Sequence, residues 1–335
     1  MRAERVLDAN GNRAAEGLRV LEDVARMLLA DAALSARAKD LRHRLRAALP
    51  APLPADRDIA GDVGTTISHA DEGQRGSLVD LIRANASRVA EALRAVEEFA
   101  KLAGQAALAQ LGEGIRYAGY DLERDLLACL PAHRLWQERL YVLVDTGCTD
   151  DPVAVAAAIA GEAGVIQLRA KGLSERAYRD LAARVQDAIA GRSLFVVNDH
   201  VAVARVLAAD ACHVGQDDLS VADVRQVVGA VCAIGMSTHT PQQVAAAQAA
   251  GADYIGIGPM FATGTKPHEP VRGPELLAAV GAAITVPSYA IGGIDQERLP
   301  ELTPILPHGI AVAGTVCRAA DPRAVCAQLR EALAS

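Results

Sequence analysis

The strongest constraint on the fold lies in the second part of the chain, where short runs of mostly apolar, often β-branched residues alternate with helical runs. From Leu140 onward this alternation occurs eight times. The predicted strands are LYVLVD, GVIQLRA, LFVVND, ACHVG, AIGMST, YIGIGP, PSYAIGG and GIAVAG. Eight strands with crossover helices predict a closed (β/α)₈ TIM barrel. A doubly wound sheet is the alternative, but LYVLVDTGCTDD lacks the glycine-rich turn that usually follows its first strand.

The first third of the chain contains an internal repeat. The segment ANGNRAAEGLRVLEDVAR at 9–26 matches ANASRVAEALRAVEEFAK at 84–101. Further segments, 33–49 and 106–130, carry apolar residues at spacings of three and four. Each half therefore predicts a helical hairpin, and the two halves together predict an all-α domain with an internal repeat.

The repeats are joined by a stretch rich in Gly, Asp and Thr at 57–77, which is longer than a typical loop of about 4 to 6 residues. Loops of this length in compact domains are usually functional or disordered. The short link around Pro131–Arg139 then leads into the barrel. We therefore expect a helical domain at 1–135 and a barrel domain at 139–335.

Charge and composition narrow the classes of partner. The net charge of −7 argues against a nucleic-acid or anionic-membrane surface, so small molecules are the expected partners. No signal peptide and no membrane span are apparent, which predicts a cytoplasmic protein. The six Cys residues form no C-x-x-C pair, which argues against a zinc site or a disulfide framework. A homo-oligomer is compatible with the sequence, which does not determine the oligomeric state.

The second predicted strand carries three polar side chains at every second position. Gln167, Arg169 and Lys171 alternate with apolar residues, so their side chains point to one face. The active site of such a barrel lies at the carboxyl ends of its strands. A structural ion network is the alternative, but this strand holds no carboxylate, and two buried cations are costly without an anion. We therefore expect an anionic ligand here.

The next two predicted strands end in carboxylates. Asp199 follows strand three and Asp218 follows strand four, and neighbouring strands lie only about 4.8 Å apart. Carboxylate oxygens suit Mg²⁺, which keeps several waters and often binds through one or two carboxylates plus phosphate. Alternatively, each Asp is a cap or near-cap of the helix that follows it. The two together, beside two cations, favour the metal.

Three of the last four strands also end in residues suited to phosphate. Thr263, Thr265 and Lys266 follow strand six on a glycine turn, which suits a loop closing over a diphosphate. Strands seven and eight end in Gly292–Gly293 and Ala313–Gly314, at the usual monophosphate site of these barrels. Tight turns that need glycine are an equally good explanation for each loop taken alone. Ser237, at the end of strand five, can donate a proton or hydrogen bond in the barrel mouth.

Six motifs in chain order resemble those of a known family. They are QLRAK at 167–171, NDH at 198–200, HVGQDD at 213–218, STHT at 237–240, GPMFATGTK at 258–266 and GGI at 292–294. Over the whole barrel they look like the motif set of thiamine-phosphate synthase. The resemblance implies Mg²⁺-dependent coupling of hydroxymethylpyrimidine diphosphate with thiazole phosphate, giving thiamine phosphate and pyrophosphate.

The resemblance also implies roles for single residues. Those implied to bind the pyrimidine diphosphate are Gln167, Arg169, Lys171 and Asn198. Those implied to hold Mg²⁺ are Asp199 and Asp218. Those implied to meet pyrophosphate or the thiazole phosphate are Thr263, Thr265, Lys266 and Gly293. We assign catalytic roles to Lys171, Ser237 and Lys266, acting through electrostatics and positioning because no nucleophile is conspicuous.

One position departs from the family pattern. The family often has Ile-Ser where this chain has Ala313–Gly314. We therefore expect the backbone alone to contact the phosphate there.

The N-terminal repeats resemble the helical domain that precedes this synthase in some bacteria and is associated with hydroxymethylpyrimidine-phosphate kinase activity. The resemblance implies ATP as a second cofactor, although the region has no G-x-x-x-x-G-K-[ST] motif. The candidate site comprises the repeated polar residues and three residues of the joining loop. They are Asn10, Arg13, Glu16, Asn85, Arg88, Glu91, Asp62, Thr65 and Thr66. A salt-bridged helix surface is the alternative, because Arg and Glu at these spacings stabilise helices in any case.

Two other functions remain open from the sequence. The barrel of a thiazole tautomerase is related, but an isomerase would not be expected to keep the full set of magnesium and diphosphate residues. The N-terminal bundle can also be a dimerisation module without catalysis.

Overall fold

The computed structural model describes residues 2–49, 76–263 and 270–334. The chain folds into two compact units, Met1–Leu130 and Pro131–Ser335. The first unit is helical and the second is a barrel, as the sequence predicts.

Four long helices form the first unit. They are α1 (Arg2–Asp23), α2 (Ala32–Ala48), α3 (Leu78–Leu102) and α4 (Ala106–Ala128), with a π-helical turn at Val24–Leu28 after α1. The helix α1 packs against α2 and α3, and α4 packs against α2 and α3. Both predicted repeats are therefore helical, although each first helix begins several residues before the repeated sequence.

The first helices of the two repeats approach closely at a glycine. A Cβ atom at Gly17 would lie 2.7 Å from the Val89 side chain and 3.1 Å from the Asn85 carbonyl oxygen. A larger residue there would push α1 away from α3.

Each repeat buries one glutamate against an arginine from its own second helix. Glu22 lies 2.8 Å from Arg42, and Glu97 lies 3.2 Å from Arg116. Both glutamates are at least 95% buried. Lys101 and Arg94 also hydrogen-bond Glu97, and these contacts lower the pKa of Glu97 to about 2 despite its burial. The repeat thus preserves a buried ion pair that ties the two helices of each hairpin together.

Eight parallel strands close the second unit into a barrel in sequence order. They are β1 (Leu140–Asp145), β2 (Val165–Arg169), β3 (Leu194–Asn198), β4 (Ala211–Val214), β5 (Ala233–Thr238), β6 (Tyr254–Ile257), β7 (Ser288–Ile291) and β8 (Gly309–Val312). Each lies within the run predicted from the sequence, so the TIM-barrel prediction is confirmed.

Helices surround the barrel and join its strands. They are α5 (Pro131–Arg134), α6 (Pro152–Ile159), α7 (Glu175–Ile189), α8 (Val201–Val206), α9 (Val221–Val228), α10 (Pro241–Ala249), α11 (Pro274–Val280), α12 (Leu299–Leu302), α13 (Gly314–Cys317) and α14 (Pro322–Ala334), with 3₁₀ turns at Leu135–Gln137, Gly281–Ala283 and Thr303–Ile305. Asp151 and Thr240 cap α6 and α10 through their side chains. Across the described ranges, no helix is long and apolar enough to cross a membrane.

Tyrosines fill the barrel interior and the segment before β1 covers its amino-terminal end. Tyr141, Tyr254 and Tyr289 pack together, and Leu135 joins their cluster. The Tyr289 hydroxyl donates to the carbonyl of Leu135, and the half-exposed Trp136 ring packs edge-on against His308. This end is therefore filled, and the cavities described below open at the carboxyl ends of the strands.

Candidate functional site

A cavity of about 610 Å³ opens at the carboxyl ends of the strands. The predicted site residues that line it are Gln167, Arg169, Lys171, Asn198, Asp199, Asp218 and Ser237. A second cavity of about 230 Å³ shares Arg169 and Ser237 with the first. The predicted residues that line this second cavity are Thr263, Gly293, Ala313 and Gly314, together with those two. Thr265 and Lys266 lie outside the described residues.

Arg169 is held by a carboxylate from the neighbouring strand. Asp145 lies opposite Arg169 in the β1–β2 register, and its Oδ2 accepts a hydrogen bond from the guanidinium. Asp145 is 3% exposed, so this is a largely buried ion pair. The strand itself holds no carboxylate, as expected, but the neighbouring strand supplies one to Arg169.

Lys171 is paired with Asp199, the predicted metal ligand. The ammonium group contacts Asp199 Oδ2, and the Asn198 amide donates to Asp199 Oδ1 over 2.6 Å. The backbone of Asp199 has a φ of +61°, a left-handed conformation that non-glycine residues rarely adopt. Such strain costs about 1 to 3 kcal/mol and clusters at functional sites. Two predicted residues, Lys171 and Asn198, thus converge on the carboxylate of a third, Asp199, whose backbone is strained.

Neither aspartate caps the following helix through its side chain, although Asp199 immediately precedes the N-cap residue of α8. His200 occupies the N-cap position of α8 and makes no side-chain cap bond, while the Ser220 side chain caps α9. Asp218 Oδ2 instead accepts the backbone N–H of Gly215 over 2.7 Å, within the turn that follows β4. Both carboxylates face the cavity.

The two carboxylates fit Mg²⁺ by their chemistry. No group of three or more His, Cys, Asp or Glu residues capable of holding a metal occurs within the described parts of the chain. Magnesium does not require one, because it commonly uses one or two carboxylates plus water and phosphate oxygens. Asp199 and Asp218 each keep lone pairs beyond the hydrogen bonds described above. The residues present therefore fit a magnesium ion shared with a phosphorylated ligand.

A hydrogen-bonded chain of side chains forms the floor of the larger cavity. The Gln167 amide donates to the Tyr141 hydroxyl over 2.8 Å, and the Tyr141 and Tyr254 hydroxyls are 3.2 Å apart. His213 joins Tyr254 through Nδ1 and Ser237 Oγ through Nε2. Burial raises the pKa of both tyrosines, so both stay protonated.

A missing side chain in β5 makes room for this floor. A Cβ atom at Gly235 would lie 2.0 Å from the Tyr254 ring and 2.5 Å from His213 Nδ1. Tyr141, His213 and Tyr254 were missed by the sequence analysis. The signal that could have found them is their place at inward positions of the predicted strands.

The glycine turn after β7 packs against the loop after β6. Cβ atoms at Gly292 and Gly293 would lie 2.5 Å from Pro259 Cβ and from the Ala262 carbonyl oxygen. The Phe261 N–H also donates to the Gly292 carbonyl. The close approach of two loops is thus enough to require glycine at both positions.

Two arginines that the sequence analysis missed line the smaller cavity. Arg298 follows the Gly292–Gly293 turn and Arg318 follows Gly314. Both lie within five residues of a predicted phosphate turn, and that spacing is the signal that could have found them.

The repeated polar residues of the first unit divide into two groups. The Asn10 and Asn85 amides donate to carbonyls four residues earlier in their own helices. The charged members, Arg13, Glu16, Arg88 and Glu91, are exposed. Asp62, Thr65 and Thr66 lie outside the described residues.

One open cleft in this unit contains a residue from the predicted set. Glu91 lines it with Arg94, Arg116 and Tyr120, and Glu123 completes its wall. Partial burial raises the pKa of Glu123.

Both parts of the chain are similar to known protein families. The family model described as thiamine monophosphate synthase matches residues 140–316, and the ThiD2 family model matches residues 5–125. A thiamine phosphate pyrophosphorylase from Pyrococcus furiosus superposes with a TM-score of 0.55 at 28% identity. The superposition covers 60% of this chain and 97% of that structure.

Similar proteins extend over almost the whole chain. A thiamine-phosphate synthase from Gloeobacter violaceus is 39% identical over 95% of this chain and 93% of its own length. One from Synechocystis is 38% identical over 97% of this chain and 94% of its own length. The chain therefore belongs to the thiamine-phosphate synthase family.

Proposed function

We propose that the barrel joins hydroxymethylpyrimidine diphosphate to thiazole phosphate, releasing pyrophosphate and giving thiamine phosphate. One observation carries the proposal. Two adjoining cavities at one barrel mouth combine cations and carboxylates on one side with an arginine-lined pocket on the other. Two phosphorylated substrates that must meet need such a pair of adjoining sites. We place the reaction in the cytoplasm, with small molecules as partners.

We propose Asp199 and Asp218 as the residues that hold Mg²⁺. When bound, the ion would neutralise the diphosphate and favour its departure as pyrophosphate.

The chain's own cations bind the leaving group in this proposal. Arg169 and Lys171 both face the cavity, and each gives up part of its present carboxylate contact to a phosphate oxygen. The bond from the pyrimidine methylene to the diphosphate oxygen breaks and its electron pair leaves with pyrophosphate. The thiazole nitrogen lone pair then forms the new carbon–nitrogen bond.

Ser237 and the cavity floor position the reacting groups. His213 holds the Ser237 hydroxyl, which faces both cavities. Ser237 therefore stands where the two substrates meet, and it can hydrogen-bond the pyrimidine. The buried tyrosines beneath it keep water from the developing cation.

Pyrophosphate release tests the proposed reaction. The purified chain with Mg²⁺ should release pyrophosphate only when both phosphorylated substrates are present. Omitting the thiazole phosphate is the control for simple hydrolysis. Conversion of the thiazole alone, without pyrophosphate release, would support the isomerase alternative instead.

We also propose that residues 1–135 and 139–335 are separate functional domains and that the first is a hydroxymethylpyrimidine-phosphate kinase using ATP. The match of the ThiD2 family model to residues 5–125 supports this proposal. Its product would be the diphosphate that the barrel consumes.

A full-length chain with an inactive barrel tests the kinase. We expect a Lys171→Ala chain, given ATP and hydroxymethylpyrimidine phosphate, to accumulate the diphosphate. A lack of diphosphate would leave the bundle with the non-catalytic role of a dimerisation module.

A further inference from the structure

The pocket at the ends of β7 and β8 needs a source of positive charge that its glycines do not supply. Gly292 and Gly293 are already required by the close approach of the β6 loop. The Thr315 hydroxyl donates to the Ile294 carbonyl over 2.7 Å, so its hydrogen is engaged. Neither turn offers a cation to a doubly charged phosphate.

Arg298 supplies one cation from the β7 side. Its guanidinium donates to the Gly293 carbonyl over 2.7 Å and lies 5.2 Å from the centre of the Phe261 ring. These two contacts hold the side chain at the pocket wall and leave further N–H donors for a ligand.

Arg318 supplies a second cation from the β8 side. A Cβ atom at Gly314 would lie 3.3 Å from an Arg318 guanidinium nitrogen, so the arginine fills the space above that glycine. Its described hydrogen bond goes to the Cys148 sulfur over 3.4 Å, which is a weak acceptor. The guanidinium therefore stands where a side chain at position 314 would otherwise face the pocket.

Neither arginine forms an ion pair with a carboxylate among the residues that the structure describes. Asp295 also lines the pocket, but its Oδ1 accepts the backbone N–H groups of Glu297 and Arg298. We propose that Arg298 and Arg318 form a two-arginine clamp that binds the phosphate of the thiazole substrate. Guanidinium groups suit this task because their paired N–H donors match phosphate oxygens. The clamp rests on the proposed synthase function.

Steady-state kinetics of single variants test the clamp. In Arg298→Ala and Arg318→Ala, we expect the KM for thiazole phosphate to rise about 10- to 100-fold, the loss typical of a charge-assisted hydrogen bond. The kcat and the KM for the pyrimidine diphosphate should change less than about twofold, because those contacts lie in the other cavity. Arg318→Lys should recover part of the loss, and Arg205→Ala, on the exposed surface of α8, should behave like the wild type. Unchanged or equally raised KM values for both substrates would overturn the clamp.

A second measurement tests the clamp without turnover. Cys148 lies beside Arg318, so inorganic phosphate in the clamp should slow alkylation of this thiol by iodoacetamide. Mass spectrometry reports each thiol separately, and the exposed Cys129 of the first unit is the internal control. Phosphate should protect Cys148 in the wild type but not in the Arg298→Ala, Arg318→Ala double variant. Equal protection in both chains would overturn the clamp, whereas selective protection without pyrophosphate release would overturn only the synthase proposal.

Discussion

The helical unit and the barrel mouth both pair carboxylates with cations, but the two sets of ion pairs differ in what surrounds them. Glu22 and Glu97 are buried between the helices of the bundle and line no described cavity, although the Glu97 partner Arg116 lies at the wall of the open cleft. Asp145 and Asp199 contact their cations at the wall of a cavity. The same chemistry therefore stabilises a fold in the first case and prepares a binding site in the second. Substitutions in the two sets should separate stability from activity.

The largest effect is expected at Asp199 and Lys171. Asp199→Asn and Lys171→Ala should each lower kcat/KM for pyrophosphate release by about 1000-fold or more. The first removes a carboxylate proposed to hold Mg²⁺, and the second removes a cation that stabilises the leaving group. Asn tolerates the left-handed backbone, and Lys171 is mostly exposed, so melting temperatures should barely change. Circular dichroism checks the fold. Asp180→Asn, in the exposed Arg179–Asp180 pair of α7, is the matched control and should retain full activity.

The opposite pattern is expected in the bundle. Glu97→Gln should lower the free energy of unfolding by about 3 to 4 kcal/mol, because it leaves the mostly buried Arg116 without its carboxylate. Pyrophosphate release by the barrel should not change at 25 °C. Denaturant titration measures the loss, and Asp40→Asn, in the exposed Arg44–Asp40 pair, should cost less than about 1 kcal/mol. If Glu97→Gln left the unfolding free energy unchanged but impaired pyrophosphate release, the distinction between stabilising ion pairs in the bundle and functional ion pairs in the barrel would fail.

A substitution at Asp145 should change both the stability of the chain and the binding of pyrophosphate. Asp145→Asn should lower the free energy of unfolding by about 2 to 3 kcal/mol, less than in the bundle because Arg169 can reach water in the cavity. Inhibition by pyrophosphate should become tighter, because the product no longer competes with a carboxylate for Arg169. Product-inhibition kinetics with the wild type as reference test this. Weaker inhibition would mean that Asp145 mainly orients Arg169.

The smallest expected effect is on the dependence of stability on pH under acidic conditions. The pKa of Glu97 falls from 4.5 to about 2 on folding, chiefly through its hydrogen bond with Lys101. A carboxylate with a lowered pKa contributes stability that is complete above pH 4.5 and is lost as the pH falls from 4.5 towards 2. Unfolding free energies of Glu97→Gln should therefore depend less on pH across this window than those of the wild type. If the unfolding free energies of the two chains changed equally with pH, Glu97 would not be the source of the loss of stability in acid.

The sequence predicts the strands and the cavity-facing residues because both follow from local periodicity and from the polarity of strand ends. Gln167, Arg169 and Lys171 needed only their alternation to be placed at the mouth. The pairing of Asp145 with Arg169 was not predictable in this way, because it depends on the β1–β2 register between residues 24 positions apart. The backbone strain at Asp199 was also not predicted, since no pattern in the chain encodes a positive φ at a single aspartate.

The packing of Trp136 against His308 has a practical consequence for these experiments. Trp136 is the chain's sole tryptophan and belongs to the second unit. Indole fluorescence therefore reports the local state of the barrel's amino-terminal end. A chain whose emission and ellipticity transitions separate under denaturant would reveal that its two halves melt independently.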